Sequence, residues 1–400
     1  MIARAHSHWV ATAVVTWVAI TLGLAIYGYH YPRTHTVYDV YELASRRWWA
    51  GEDLYLDSSQ GYYRYSPLFA VGITPFALLP DSWGNALWRV FNCLIYVAGI
   101  ACWARRALPG RQTATQIAAL LLLVLPLSLQ SLQNAQANLL MLGAVLLALS
   151  AAADERWSSS AGWLALATLI KGYPLALAGI LIVLYPRRFT WRFAAALAVG
   201  LLLPFAAQSP AVVAGNYASW FTHLSDSTSI MRERLRSIDH LFALYGQPLT
   251  PRTFLLLQLS AGLVVLGLCA LHMRLVRDQR DRLAMTFLLF TAWVALFGPA
   301  TESCTYVVIA PAVAWLILDS FVESASWASR LVLIASLVLM GPIGTDVVGQ
   351  TVRNFANEHG CKPIGALLFL SILLLRLGQP HRHETSEITS ANAFATKAAA

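Results

Sequence analysis

Charge is scarce in this chain. Of its 400 residues only 12% are Asp, Glu, Lys or Arg, about half of the roughly 25% typical of a soluble domain. Lysine is scarcer still: Lys171, Lys362 and Lys397 are the whole complement. The five cysteines, Cys93, Cys102, Cys269, Cys304 and Cys361, form no CxxC and no Cys/His spacing, so those zinc and redox signatures are excluded. Only Cys304 and Cys361, both expected in outward loops, could pair. There is no Gly-rich dinucleotide fingerprint and no P-loop, so a nucleotide site on the inner face has no support. No serine-hydrolase elbow occurs. The net charge of +8 comes without a long basic tract, and a nucleic-acid role is set aside.

Apolar sequence is what the chain has in quantity. It is 58% hydrophobic, with a mean hydropathy of +0.58. Several runs approach the roughly 20 residues that a membrane-spanning helix needs. The expected class is an all-α polytopic membrane protein. The first run, Trp9–Tyr27, exceeds a signal-peptide core and no small-x-small cleavage site follows; it reads as a retained first helix.

Arginine clusters orient the rest by the positive-inside rule. With the N-terminus cytoplasmic, helix 1 (9–29) crosses outward. Pro67–Pro80 is short and bracketed by prolines, and reads as a half-entering or interfacial segment. Helix 2 (84–104) returns to Arg105, Arg106 and Arg111. Helices 3 (114–130) and 4 (137–153) follow. In Ala161–Arg188, Pro174 removes a backbone donor and breaks the helix. Two short helices, up and back, then leave Lys171 at the outer turn and Arg187 and Arg188 inside. Helix 7 (192–207), helix 8 (252–273), helix 9 (283–298), helix 10 (306–321), helix 11 (329–345) and helix 12 (363–377) complete about twelve spans. Residues 1–378 form one domain, with external loops at about 30–66 and 208–250. The tail, 379–400, is expected to be disordered and cytoplasmic.

This topology gathers the unusual polar residues on the outer face, and each has a bland and a functional reading. "VYDVYELASRRWWAG" is an amphipathic interfacial helix: Val37, Val40, Tyr41, Ala44 and Trp48 share one face, and Trp48 and Trp49 suit the headgroup layer. Asp39 and Glu42 are then either surface charges, Glu42 pairing Arg46 at i,i+4, or site carboxylates. Lys171 either snorkels to the interface or faces a phosphate. "QNAQANLL" supplies Gln133, Asn134, Gln136 and Asn138, as helix caps or as amides for sugar hydroxyls. In the second external loop Arg232, Arg234, Arg236, Asp239 and His240 are a solvated helix or an anion-binding patch. Glu302 and Tyr306 cap helix 10 or join the site.

These pieces in this order resemble polytopic glycosyltransferases of the GT-C superfamily, specifically family 87. The resemblance rests on "YDVYELASRRWWAGEDLY", "YYRYSPLFAVGITPFALLP", "QNAQANLLML", "LALATLIKGYPLAL" and "GPATESCTYVVIAP", and covers roughly residues 10–320. It departs at Glu302–Tyr306, where relatives often carry Ser-Trp-x-His-Tyr, and at Arg236–His240, where an Asn/Gln-Ser-Leu element is common. The resemblance implies a GT-C helical bundle in the plasma membrane, with its active site on the external face. It implies inverting transfer of a mannose-like or arabinose-like sugar from polyprenyl phosphate to a lipid-linked or glycan acceptor. Asp39 would be the general base. Lys171, Arg64, Arg234 and Arg236 would hold the donor phosphate. Glu42, Gln133, Asn134, Asn138, Tyr173, His240, Glu302 and Tyr306 would line the sugar or acceptor. No cofactor is expected and no ligand set demands a metal, although Asp39 with Glu42 could hold a divalent ion. The alternatives are a polyprenyl-lipid flippase or transporter, which would show paired broken helices, and a non-catalytic assembly factor.

Overall fold

The computed structural model describes residues 2–56, 63–230, 235–322, 325–345 and 348–378, with the side chains of 2–7 and 225–230 left aside. The chain is helical throughout these residues; the one β-type contact among them is an isolated bridge between Leu235 and Glu302. The expected tail at 379–400 lies outside them.

The helix ends follow local chemistry. α1 (Ile2–His30) is the first apolar run. α2 (Tyr38–Ala50) is the expected amphipathic helix, closed by Gly51 in the left-handed conformation, φ 74°, where a residue without Cβ is unstrained. α3 (Pro67–Ala77) starts on a proline at its first turn, a position whose missing N–H costs nothing. α4 (Asp81–Arg106) is a full span with two arginines in its last turn. α5 (Ala114–Leu123) opens on a Thr113–Gln116 capping box. α6 (Leu125–Gln133) bends away from it by 53°, at Pro126. α7 (Asn138–Ala153) is buried around almost its whole circumference and forms the centre of the bundle. It meets α4 at two glycines: a Cβ on Gly143 would lie 2.6 Å from the Ile95 carbonyl, and one on Gly99 would lie 2.7 Å from the Gly143 carbonyl. Small residues of this kind let membrane helices approach backbone to backbone.

α8 (Trp157–Ile170) and α9 (Pro174–Leu184) flank the Lys171–Tyr173 break, and α10 (Pro186–Leu202) follows. The Tyr185 ring, just past α9, packs on Trp157 at the start of α8, with centroids 4.7 Å apart. Glu155 and Arg188 pair at 2.8 Å. At the other end Gly200 of α10 leaves room only for Leu169 of α8. The chain therefore goes up α8, back down α9 and up again along α10, with Lys171 at the far turn, as the proline pattern indicates.

α11 (Pro210–Ile230) and α12 (Ile238–Leu244) occupy the stretch expected to be a loop at 208–250. α13 (Pro251–Leu275) is almost entirely exposed on the outside of the bundle, whereas α14 (Gln279–Phe297) is core. A 3-10 segment, Ser303–Ile309, leads into α15 (Ala310–Val322). α16 (Trp327–Met340), α17 (Gln350–Glu358) and α18 (Cys361–Leu377) complete the fold. α17, a short helix with one apolar face, has no counterpart among the expected twelve. Among the described residues five helices are long and apolar enough to cross a membrane, or seven if each of two bent pairs is one span. The other apolar helices are shorter, which is why a count from hydropathy exceeds the number of full-length spans.

The two ends of the bundle differ in chemistry. At one end Arg106 and Arg156 pair Asp154 at 2.7 and 3.3 Å, Arg188 pairs Glu155, and Gln279 donates to the Ala152 carbonyl at 2.5 Å. This end collects the arginine clusters. The candidate site lies at the other end.

Candidate active site

The first half of the site is the α2 platform. Tyr38, Tyr41, Ala44, Ser45 and Trp48 are buried on its inner face. Trp48 is fully buried, not in the headgroup layer; Trp49 is the exposed tryptophan, and it donates to Thr74 Oγ1 at 2.9 Å. The Val37 N–H bonds the Asn134 carbonyl at 3.0 Å. The Tyr41 hydroxyl shares a hydrogen bond with the Tyr65 hydroxyl at 2.7 Å and accepts from the Ala137 N–H at 3.2 Å. α2 is thus tied to both the amide-rich turn and the Tyr63–Ser66 segment. Asp39 stands in its first turn, half-buried, with Oδ1 lacking a hydrogen-bond partner. Burial pushes its carboxyl above the ordinary 3.8, while backbone N–H groups and Arg33 pull the other way. Glu42 is engaged: Arg46 donates to its Oε1 at 2.6 and 2.9 Å, and Arg46 also approaches Asp81 at 3.8 Å. Here the i,i+4 pair is realised.

The amide-rich turn is held from below by α4. Arg89, only 4% exposed, donates to the Leu132 and Gln133 carbonyls at 3.0 and 2.6 Å and to the Asn85 side chain at 2.8 Å. Trp88 donates to the Ala135 carbonyl at 2.9 Å; Ala135 itself has φ 52°. Asn92 accepts from the Leu140 N–H at 3.1 Å. This polar face of α4 was not anticipated. A buried arginine in an apolar span is the signal that points to it.

The second half is a cluster of cations. Lys171 stands over the Tyr65 ring, 5.8 Å from its centroid. Burial lowers its pKa and Glu302 raises it. Arg64 pairs Glu302 at 3.6 Å. Glu302 caps the 3-10 segment through a reciprocal pair with Thr305, so capping and charge pairing coexist. Tyr306 is buried and donates to the Arg236 carbonyl at 2.7 Å. The Arg236 N–H bonds the Thr301 carbonyl at 2.7 Å; burial lowers the pKa of its guanidinium. Asn138, fully buried, donates to the Cys304 carbonyl at 3.0 Å, and its Oδ1 has no partner. Asn134 donates to Cys304 Sγ at 3.5 Å. The buried Tyr173 hydroxyl also lacks a partner.

Arg64, Lys171, Arg236, Asn134, Asn138, Glu302 and Tyr306 therefore converge. Gln133 contributes its backbone carbonyl to Arg89. His240 bonds the Asn357 carbonyl of α17 at 3.2 Å. Arg232 and Arg234 lie outside the described residues. All five cysteines are free, so Cys304 and Cys361 do not pair: Cys304 is engaged by the amide turn, and Cys361 is buried at the start of α18. Among the described residues no group of three His, Cys, Asp or Glu could hold a metal ion.

The model of glycosyltransferase family 87 matches residues 63–299, more than half of the chain. The chain belongs to glycosyltransferase family 87. It is a multi-pass membrane glycosyltransferase, and the flippase and assembly-factor alternatives give way to an enzyme. A solved structure described as ArnT from Cupriavidus metallidurans bound to undecaprenyl phosphate is similar at 16% identity, over 91% of this chain and 76% of that one, with a TM-score of 0.44. No curated protein matches. The matched stretch includes Arg64, the amide turn and Lys171, but stops before Glu302.

Proposed function

We propose that the enzyme transfers a mannose-like or arabinose-like sugar from a polyprenyl-phosphate donor to a hydroxyl of a lipid-linked or glycan acceptor. The active site would open on the external face of the plasma membrane, with both termini cytoplasmic. One observation carries the donor assignment: Lys171, Arg64 and Arg236 crowd around a site whose nearest carboxylate, Glu302, is already paired with Arg64. Partly buried cations gathered at one place favour an anionic ligand, and a phosphate offers oxygens that several of them can share.

An open, mostly apolar groove of 460 Å³ runs between α8 and α10, lined by Leu68, Leu166, Leu169, Ala196 and Val199. Its upper end, at Leu169, is two residues from Lys171. A polyprenyl chain lying there would leave its phosphate at the lysine.

In the reaction, Asp39 takes the proton of the acceptor hydroxyl as that oxygen bonds to the anomeric carbon. The bond from that carbon to the phosphate oxygen breaks, and the lipid phosphate leaves with the electron pair. Lys171 and Arg64 stabilise the charge that grows on it, in a place shielded from water. Direct displacement inverts the anomeric centre. The raised pKa of Asp39 makes it a stronger base than an exposed carboxylate, and its buried Oδ1 is not engaged by another protein group. Asn134, Asn138 and Tyr173 would meet sugar hydroxyls, Asn138 and Tyr173 through polar atoms that now lack partners.

The test is transfer by the purified enzyme in vesicles containing defined polyprenyl-phosphate sugars. Asp39→Asn should lower the rate by roughly 10²–10⁴-fold with protein level and donor binding unchanged. Full activity in that variant would sink the assignment of the base.

A further inference from the structure

Among the described residues there is one lysine besides Lys171. Lys362 lies at the start of α18, beyond the stretch 63–299 matched by the family model. It is only 4% exposed. Its Nζ donates to the Met340 carbonyl at 2.6 Å and stands 5.2 Å from the centroid of Tyr306. Among the described residues no carboxylate pairs with it. An ammonium group has three donors, and one hydrogen bond and one ring face leave it under-satisfied for a buried cation.

Its surroundings are those of the donor site. The Tyr306 ring beneath Lys362 belongs to the same 3-10 segment as Cys304, and its hydroxyl reaches the backbone of Arg236. Lys171 and Lys362 are nevertheless far apart in the chain, with 190 residues between them. Among the described residues this end of the bundle holds Lys171, Arg64, Arg236 and Lys362, with Glu302 paired to Arg64 at 3.6 Å.

We propose that Lys362 is a second lysine ligand of the donor phosphate, reaching the site from the C-terminal helix. The proposal rests on the donor reading above. Lys171 and Arg64 approach from α8–α9 and the first external segment. Lys362 approaches over Tyr306, so the phosphate is held between two parts of the chain that are otherwise far apart. A cation at this position adds a charge-assisted hydrogen bond to the phosphate oxygens. It also draws the amino end of α18, with its own positive dipole, toward the anion.

The experiment measures binding of undecaprenyl phosphate, and of uncharged undecaprenol, to the full chain in lipid nanodiscs. Lys362→Met should weaken undecaprenyl phosphate binding by about tenfold or more, the size of one lost charged contact. It should leave undecaprenol binding within about twofold, and Lys362→Arg should restore most of the loss. Equal weakening of both lipids, or no rescue by arginine alongside a lowered thermal midpoint, would reduce Lys362 to a structural tie between α16 and α18. Lys171→Met separates the two levels of the reading. If it weakens phosphate binding while Lys362→Met does not, only the role of Lys362 falls. If neither variant affects phosphate binding, the donor site itself is misassigned.

Discussion

Individual side chains divide here into those that are engaged and those left open. Glu42 and Asp39 sit one turn apart on α2, yet Glu42 is occupied by Arg46 while Asp39 keeps a buried oxygen without a partner. Glu42→Gln is therefore expected to retain transfer within about twofold, the range of a modest ion pair, where Asp39→Asn loses it; equal losses in vesicle assays would contradict this division. The pH profile follows from the same two ends of the site. On the proposed mechanism, transfer needs Asp39 ionised and Lys171 charged. Burial raises the first pKa above 3.8 and lowers the second below 10.5. The rate should thus rise with pH through an acid limb above the usual carboxylate range and fall through an alkaline limb below the usual lysine range. In Lys171→Arg the alkaline limb should move up and out of the measurable window, because guanidinium stays charged. An unmoved limb would remove Lys171 as its source.

At the scale of elements, hydrogen bonds between helices set where the reacting groups stand. Tyr41 joins α2 to Tyr65 and to the amide turn through one hydroxyl. Tyr41→Phe should lower transfer by roughly tenfold, the worth of about one buried hydrogen bond, with the thermal midpoint little changed. A midpoint that falls in step with the rate would make the hydroxyl merely structural. Much at this scale was legible in the sequence. The α8–α9 hairpin follows from Pro174 and from the arginines that must return to one side. The amphipathic face of α2 follows from Tyr41, Ala44 and Trp48. Other features were not legible. The helix at Pro210–Ile230 mixes Ser, Thr and Asn with its apolar residues and shows no strong periodicity. Trp48 at a membrane edge reads as a headgroup anchor, but it is covered by neighbours that only the fold brings near. Lys362 reads as the flank of a last span because nothing local reveals that Tyr306 lies beneath it. The candidate site was legible as residue types on one face, whereas the closeness of Asn138 to Cys304 and of Arg89 to Gln133 depends on contacts between distant segments.

For the whole molecule the two chemically different ends make a topological prediction. The end that gathers Arg106, Asp154, Arg156, Glu155 and Arg188 should face the cytoplasm, by the positive-inside rule, and the α2 platform should face out. In a chain with its native cysteines replaced, Glu52→Cys should react with an impermeant maleimide added outside intact cells, and Arg187→Cys should react only after lysis. The reverse pattern would invert the enzyme in the membrane and move the acceptor to the cytoplasm. The α8–α9 hairpin then sets a depth. With 14 residues, α8 rises only about 21 Å, against roughly 30 Å for the hydrocarbon layer. With α8 upright and starting at the cytoplasmic surface, its turn would end below the outer surface, and the proposed reaction plane would be sunk into the bilayer. A donor would then have to pull its headgroup downward to reach that plane, and an acceptor would have to enter a pit instead of meeting the sugar at the surface. Such an enzyme should respond to lipid chain length as a ruler does: thicker membranes deepen the pit, and thinner ones bring the turn level with water.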